Sequence, residues 1–238
     1  MNARPARKRV HAIAQGRGAA EHLAIPLAFE IAAQITARPL AEFRTDPTHL
    51  TNGLTELQRA INADTVCCAL ANDVEGSLVG APLTIETLTA PGREFAASLE
   101  ACRRLRATAG DALALLAGLP GPATLAARFA TDLATSAPIF TALAKEFYAA
   151  GADLILIFDA ISEAAAWHDC LRTTSNIARF HRGVALLWEP GGALPCPTRR
   201  AVSAPLAGGA GITTTDCIVP ADTNLEALRH WVAVSNRQ

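Results

Sequence analysis

The sequence has little net charge, few cysteines and no long apolar run. Its 238 residues carry a formal net charge of −1, which gives no electrostatic reason to expect a nucleic-acid partner. No apolar run reaches the roughly 18 residues of a membrane-spanning helix, and the start lacks the apolar segment of a signal peptide. These absences predict a soluble, cytoplasmic protein without a nucleic-acid or membrane partner.

The six cysteines are too few, in a chain of this length, for a fold that depends on disulfides. Without an export signal we expect reduced thiols, some of which could bind a metal ion. Cys67 and Cys68 lie inside an apolar stretch, where a free cysteine behaves as a small apolar residue.

Basic residues cluster near the start, in the stretch Arg4-Pro-Ala-Arg7-Lys8-Arg9. Because chain termini commonly fray, we predict a flexible basic tail over residues 1–17. The alternative is a contact between this segment and a phosphate or a partner. The remaining residues, 18–238, are predicted to form one α/β domain.

Apolar runs alternate with stretches of helical periodicity along the chain. The predicted strands cover residues 65–70, 112–119, 154–158, 183–188 and 211–217, and the predicted helices cover 49–61, 94–106, 137–150, 161–180 and 224–234. The strand at 65–70 is apolar throughout, which favours a parallel sheet covered on both faces. Residues 191–211 are rich in glycine and proline and are predicted as a loop. Repeated strand–helix units with short loops predict right-handed crossovers and a parallel sheet or barrel.

Several motifs occur in an order that resembles the uroporphyrinogen decarboxylase superfamily. They are Ile25–Gln34, Asp46–Asp64, Asp73–Gly80, Gly121–Leu125, Ala150–Asp159 and Asp216–Asn224. The resemblance covers residues 24 to 234 and implies a TIM-type (β/α) barrel with its site at the carboxyl-terminal rim. The interval between Asp159 and Cys217 is short for that family, so we expect a shortened or incomplete barrel that another copy or another chain could cover.

The methyltransferase branch of that superfamily is zinc-dependent and carries a cysteine that Cys217 matches. The resemblance therefore implies methyl transfer between a corrinoid, free or held by a corrinoid protein, and a thiol that zinc activates. In this branch a His-x-Cys pair completes the zinc site, and His168 and Cys170 form such a pair. On the predicted helix these two side chains point about 200° apart, which makes sharing one ion difficult.

The other candidate site residues are acidic or basic groups that follow predicted strands. Asp73 and Asp159 are the candidate catalytic carboxylates, and Glu75 and Arg128 are the candidate substrate-binding residues. Asp73 and Glu75 alternate along a segment predicted as extended, so only one would face the barrel mouth. For each carboxylate a structural role, as a helix cap or an ion-pair partner, is the competing interpretation.

Two alternatives to methyl transfer stay open. In the decarboxylase branch an aspartate in the position of Asp73 binds the pyrrole NH groups of a porphyrinogen. This chain has Arg128 and Ala160 where that branch has tyrosine and serine, and Arg17 is the nearest cation for substrate carboxylates. The third hypothesis is a non-catalytic subunit that has kept the scaffold and lost the site.

Overall fold

The computed structural model describes residues 4–17, 22–78, 84, 92–188, 199–201, 212–215 and 218–236. Its helices are α1 (Ala6–Ala14), α2 (Phe29–Ile35), α3 (Leu40–Thr45), α4 (Pro47–Ile61), α5 (Ala71–Leu78), α6 (Arg93–Ala109), α7 (Pro122–Arg128), α8 (Leu133–Ala150), α9 (Ala165–Phe180) and α10 (Leu225–Ser235). Its strands are β1 (Leu23–Ile25), β2 (Thr65–Ala69), β3 (Ala114–Pro120), β4 (Leu154–Phe158), β5 (Val184–Trp188), β6 (Arg199–Ala201) and β7 (Ile212–Thr215).

The strands β2, β3, β4 and β5 form a parallel sheet in chain order. A second sheet has the order β1-β7-β6, in which β1 and β7 are parallel and β6 is antiparallel to β7. The Thr65 hydroxyl of β2 donates a hydrogen bond of 2.6 Å to the Ala24 carbonyl oxygen, so β1 lies beside β2. The α/β prediction is therefore confirmed, and the arrangement is TIM-like, whereas closure of the barrel stays a prediction. Strand β6 corrects the prediction of a loop at residues 199–201.

Helix α4 shows how the local sequence sets an element. The Asp46 carboxylate accepts hydrogen bonds from the backbone N–H groups of Thr48 (2.7 Å) and His49 (3.0 Å), and Pro47 occupies the first turn. These hydrogen bonds hold the pKa of Asp46 below its ordinary value, and the one from His49 has the larger effect. The predicted apolar stripe is confirmed as the buried face, comprising Leu50, Leu54, Leu57 and Ile61.

The two faces of the β2–β5 sheet have different neighbours. Cys68 of β2 hydrogen-bonds the side chain of Cys102 of α6, so its face packs against the helices. The pairing register places Phe158 opposite Trp188. It also places Cys67 opposite Leu116. Cys67 is next to Cys68 in the strand and therefore points to the opposite face of the sheet from helix α6. Phe158 and Trp188 lie on that opposite face as well.

The prediction of a flexible tail is wrong for residues 6–14, because they form helix α1. Ala6, Val10, Ala12 and Ile13 of this helix are buried. The basic residues that suggested a solvated tail stand between these apolar positions. An amphipathic helix gains more from burying its apolar face than it loses by ordering a short segment.

Helix α1 covers the amino-terminal ends of the strands. Arg9 forms an ion pair with Asp64, which directly precedes β2. Arg7 lies 3.0 Å from the Asp153 carboxylate, which precedes β4, and 3.3 Å from that of Asp111, which precedes β3. Asp153 also pairs with Arg106 and accepts a hydrogen bond of 3.0 Å from the Leu115 backbone N–H. This end of the sheet is thus closed by charged pairs.

No helix among the described residues is both long enough and apolar enough to cross a membrane.

Replacing Ile13 by alanine tests whether α1 belongs to the folded domain. Ile13 is 3% exposed, and removal of a buried isoleucine side chain to alanine destabilises a protein by about 2 to 5 kcal/mol. We expect a loss in that range in urea unfolding, and little change for Lys8→Ala on the exposed face of the same helix. Equal stability of both variants would indicate an undocked segment.

Candidate functional site

Helix α5 follows strand β2 directly and places Asp73 at the carboxyl-terminal end of the sheet. The prediction of an extended segment at Asp73 and Glu75 is wrong, because residues 71–78 are helical. On a helix two residues separated by two positions project about 200° apart. Asp73 is accordingly buried, whereas Glu75 is half-buried on another side of the helix.

Asp73 is a buried carboxylate with an incomplete set of partners. Its residue is 5% exposed, and its Oδ1 atom lies 3.0 Å from Nε of Arg44 on helix α3. The same guanidinium lies 3.7 Å from the Glu30 carboxylate of α2. The Oδ2 atom of Asp73 is buried and has no hydrogen-bond partner within the described ranges. A buried carboxylate oxygen without a partner costs free energy, which is typical of a site built for a ligand.

The surroundings of Asp73 raise the pKa of its carboxyl group from 3.8 to about 6. Burial is the largest cause, and the nearby carboxylates of Glu94 and Glu30 raise the pKa further, whereas Arg44 lowers it. A carboxyl group with a pKa in this range can gain or release a proton near neutral pH. Such a shift in a polar rim is characteristic of functional sites.

Glu75 and Arg128 face each other across the ends of β2 and β3. Arg128 closes helix α7, and its Nε atom lies 3.9 Å from Oε2 of Glu75. Burial raises the pKa of Glu75, and the Arg128 charge opposes that change. Since Arg128 is 58% exposed, the pair contributes little to stability. It leaves both groups able to contact a ligand at the rim.

An aromatic pair that the sequence analysis did not single out lies at the ends of β4 and β5. The rings of Phe158 and Trp188 have centroids 4.6 Å apart at an angle of 48°. A Cβ atom at Gly118 would lie 2.7 Å from the Phe158 ring. Glycine at that position therefore allows the ring to lie over β3. The signal available in the sequence was an aromatic residue at the end of each of two consecutive predicted strands.

Asp159 follows β4, and its carboxylate is committed to the neighbouring helix α7. Oδ1 accepts hydrogen bonds from the Thr124 N–H (2.7 Å) and hydroxyl (2.9 Å), and Oδ2 accepts from the Ala123 N–H (3.1 Å) and Trp167 Nε1 (2.8 Å). A carboxylate has about four acceptor directions, so these four contacts use them. They favour the structural interpretation of Asp159, and its catalytic role stays a prediction.

The close approach of Asp159 to α7 requires glycine at position 121. A Cβ atom there would lie 2.3 Å from both Cβ and Cγ of Asp159. Asp159 thus fixes the first turn of the helix whose last turn carries Arg128.

The candidate metal ligands are not brought together. His168 is exposed on α9 and stands edge-on to Trp167, with ring centroids 5.0 Å apart. Cys170 is buried against α8, where its sulfur lies 3.6 Å from the Thr141 hydroxyl, and burial raises the pKa of its thiol. Within the described part of the chain, no group of three His, Cys, Asp or Glu side chains is placed to hold a metal ion. Cys217 lies outside the described residues.

Asp159→Ala tests the structural interpretation of this carboxylate. The substitution leaves two backbone N–H groups and the Trp167 indole without acceptors, and buried unsatisfied donors cost about 1 to 3 kcal/mol each. We expect at least about 2 kcal/mol lower stability in urea unfolding and an altered Trp167 fluorescence. Glu163→Ala, an exposed carboxylate on the same loop, is the control and should leave both unchanged. Wild-type stability of Asp159→Ala would disprove the cap.

The raised pKa of Asp73 predicts a pH dependence of stability. A carboxyl group whose pKa rises on folding penalises the folded state above that pKa, and the penalty disappears as pH falls from about 6 towards 3.8. Relative to Asp73→Asn, the wild-type protein should therefore gain stability over this interval, by about 3 kcal/mol at most. Urea unfolding of both proteins measures the difference. Asp73 of the wild-type protein is charged at about pH 8 and neutral at about pH 4, so these values are the limits of the series. A pH-independent difference would contradict the assignment.

Comparison with known protein families and with curated proteins finds no match to this sequence. Among solved structures, a methyltransferase from Methanosarcina mazei is similar, with a TM-score of 0.61 and 16% sequence identity. The similarity covers 79% of this chain and 70% of that protein. At this identity the likeness is one of fold, and the superfamily suggested by the motifs stays a prediction. The chain has an α/β fold of the kind seen in that methyltransferase.

Proposed function

We propose that the chain is an enzyme that transfers a methyl group at its carboxyl-terminal rim, with Asp73 as the group that accepts the acceptor's proton. The buried Oδ2 atom of Asp73, which has no hydrogen-bond partner among the described residues, is the observation that carries this proposal. The structural similarity to a methyltransferase supports the reaction class at a coarse level.

The proposed step requires a proton acceptor, because the thiol loses its proton when its sulfur is methylated. As the bond between the acceptor sulfur and the methyl carbon forms, the bond between that carbon and its donor breaks. The donor keeps the electron pair of the broken bond. The thiol proton passes to Oδ2 of Asp73. With a pKa of about 6, Asp73 is mostly ionised at neutral pH and can still release the proton afterwards.

Residues near Asp73 and at the ends of β4 and β5 fill the other roles in the proposed reaction. Arg44 holds the ionised form of Asp73 through its 3.0 Å contact. Phe158 and Trp188 offer an apolar surface to a large organic donor. A corrinoid, free or carried by a partner protein, is the donor that the family resemblance implies and forms part of this proposal.

A zinc ion does not fit the predicted His168–Cys170 pair. The imidazole is exposed, whereas the thiol is buried against α8 and held in its protonated form by burial. We therefore assign no step to a metal held by this pair. The role of Cys217, as a thiol or as a zinc ligand, stays a prediction.

Porphyrinogen decarboxylation is less well supported. Asp73 could accept hydrogen bonds from pyrrole NH groups, but a substrate with several carboxylates also needs cationic partners. The two arginines near Asp73 and Glu75 are already in ion pairs with acidic residues of the chain: Arg44 with Asp73 and Glu30, and Arg128 with Glu75.

Asp73→Asn tests the proposed proton acceptor. With methylcobalamin as donor and a small thiol as acceptor, we expect the substitution to lower kcat about 100-fold, which is the lower range for loss of a general base. In the wild-type enzyme kcat should rise with pH through about 6, and this rise should be lost in the variant. NMR detection of the thioether product measures both, and Glu163→Gln is the matched control on the exposed surface.

Three outcomes would redirect the assignment. An unchanged rate and pH profile in Asp73→Asn would exclude Asp73 as the proton acceptor. Turnover of uroporphyrinogen, abolished by the same substitution, would support the decarboxylase. No turnover of either substrate, together with a stable complex with a catalytically active homologue, would support a non-catalytic subunit.

A further inference from the structure

A groove runs along helix α1 at the amino-terminal ends of the strands, opposite the proposed catalytic rim. It consists of two adjoining hollows of about 480 and 510 Å³. Lys8 and His11 line both hollows, so the two lie side by side. We call it the basic groove and define it by Arg4, Arg7, Lys8, His11, Arg17 and Arg182.

Positive charge is in excess along this groove. Among the residues that the structure describes, its lining includes five with a permanent positive charge and one acid, Asp111. Asp111 forms an ion pair with Arg7, which lies 3.3 Å away and also pairs with Asp153. No carboxylate of the described chain lies within 4 Å of Lys8 or Arg182. The protein as a whole has a net charge of −1, so this excess is a local feature.

His11 lies between the two hollows with an unsatisfied nitrogen. Its Nε2 atom is buried and has no hydrogen-bond partner among the described residues. Burial, followed by the charge of Arg7, lowers the pKa of His11, and Arg182 lowers it further, while Asp153 and Asp111 act in the opposite direction. Because the His11 residue lines both hollows, an anion in the groove would lie beside it and offset the surrounding positive charge.

The far end of the groove carries an exposed aromatic ring. Phe180, the last residue of α9, is 83% exposed and contacts His181, with ring centroids 5.1 Å apart. Arg182 follows with a φ of 59°, a left-handed conformation in which glycine is less strained. A charged side chain is thus presented at a backbone position that favours glycine.

We propose that the basic groove binds a small polyphosphate anion. Lysine and arginine are the usual phosphate-binding side chains, and their distribution over two adjoining hollows fits a ligand with several anionic groups. Each hollow has the size of a small-molecule site, about 300 to 1,000 Å³. The ligand is either an inorganic polyphosphate or a nucleoside polyphosphate, and the exposed Phe180 ring would contact the base of the latter.

Calorimetric titration of the full chain with inorganic triphosphate and with ATP tests this assignment. Lys8→Gln and Arg182→Gly should each weaken binding about tenfold or more, the effect of losing one hydrogen bond from a charged group. Glycine suits the backbone at position 182, so Arg182→Gly should keep the wild-type melting temperature. The matched control is Lys145→Gln on the exposed face of α8, which should bind both probes as the wild-type protein does.

Comparison of the two probes identifies the source of the phosphate. Tighter binding of ATP that Phe180→Ala reduces to the level of triphosphate indicates a nucleotide, and equal binding indicates an inorganic polyphosphate. Unchanged binding in Lys8→Gln and Arg182→Gly, or an equal loss in Lys145→Gln, would overturn the proposal. Tighter binding of a single-stranded RNA of similar length would also overturn it. Asp73→Asn should leave binding unchanged, because the groove and the rim lie at opposite ends of the strands.

Discussion

Burial of the parallel strands confines charged groups to the strand ends, and this constraint organises the whole molecule. Strands β2 to β4 are buried almost throughout, so an ionised side chain within them would lose its hydration without compensation. The acidic residues therefore precede or follow the strands. At the amino-terminal ends they are neutralised by arginines of α1 and α6.

The carboxyl-terminal ends differ because their two aspartates are satisfied to different degrees. Asp159 gives all its acceptor directions to α7 and Trp167, and it thereby links the end of β4 to α7 and α9. Asp73 has one cation beside it and one oxygen without a partner in the described chain. The same residue type after two strands thus has a full set of hydrogen bonds in one case and, within the described chain, an incomplete set in the other. The difference lies in the completeness of the hydrogen bonds, which the sequence does not show.

Elements with a strong local pattern were predictable, and elements defined by distant contacts were not. Strand β4 was predicted with its observed bounds because five apolar residues between a glycine turn and an aspartate have few other structures available. Helix α5 was missed because residues 71–78 contain Asn72, Asp73 and Gly76 and lack a clear apolar stripe. Helix α1 carries buried residues at helical spacing, at Ala6, Val10 and Ile13, but the basic residues between them are equally typical of a solvated tail.

The site shows the same division. Asp73 could be located from its place after a strand and from the family resemblance. Its raised pKa and its pairing with Arg44 depend on residues 29 positions apart, and the capping of α7 joins residues 35 and 36 positions apart. Sequence spacing alone carries no information on such contacts. The basic groove likewise combines α1 with the end of α9.

The pairing of β1 with β7 has a consequence for the order of folding. Leu23 lies opposite Ile212, and the Asn236 side chain accepts a hydrogen bond from the Ala24 N–H. During synthesis β1 therefore cannot pair with β7 until nearly two hundred further residues have been made, whereas β2 to β5 are neighbours in chain order and can pair in succession. Contacts of such high sequence separation slow folding, and an unpaired strand edge invites association with other nascent chains. We therefore expect the pairing of β1 with β7 to be a late step in folding.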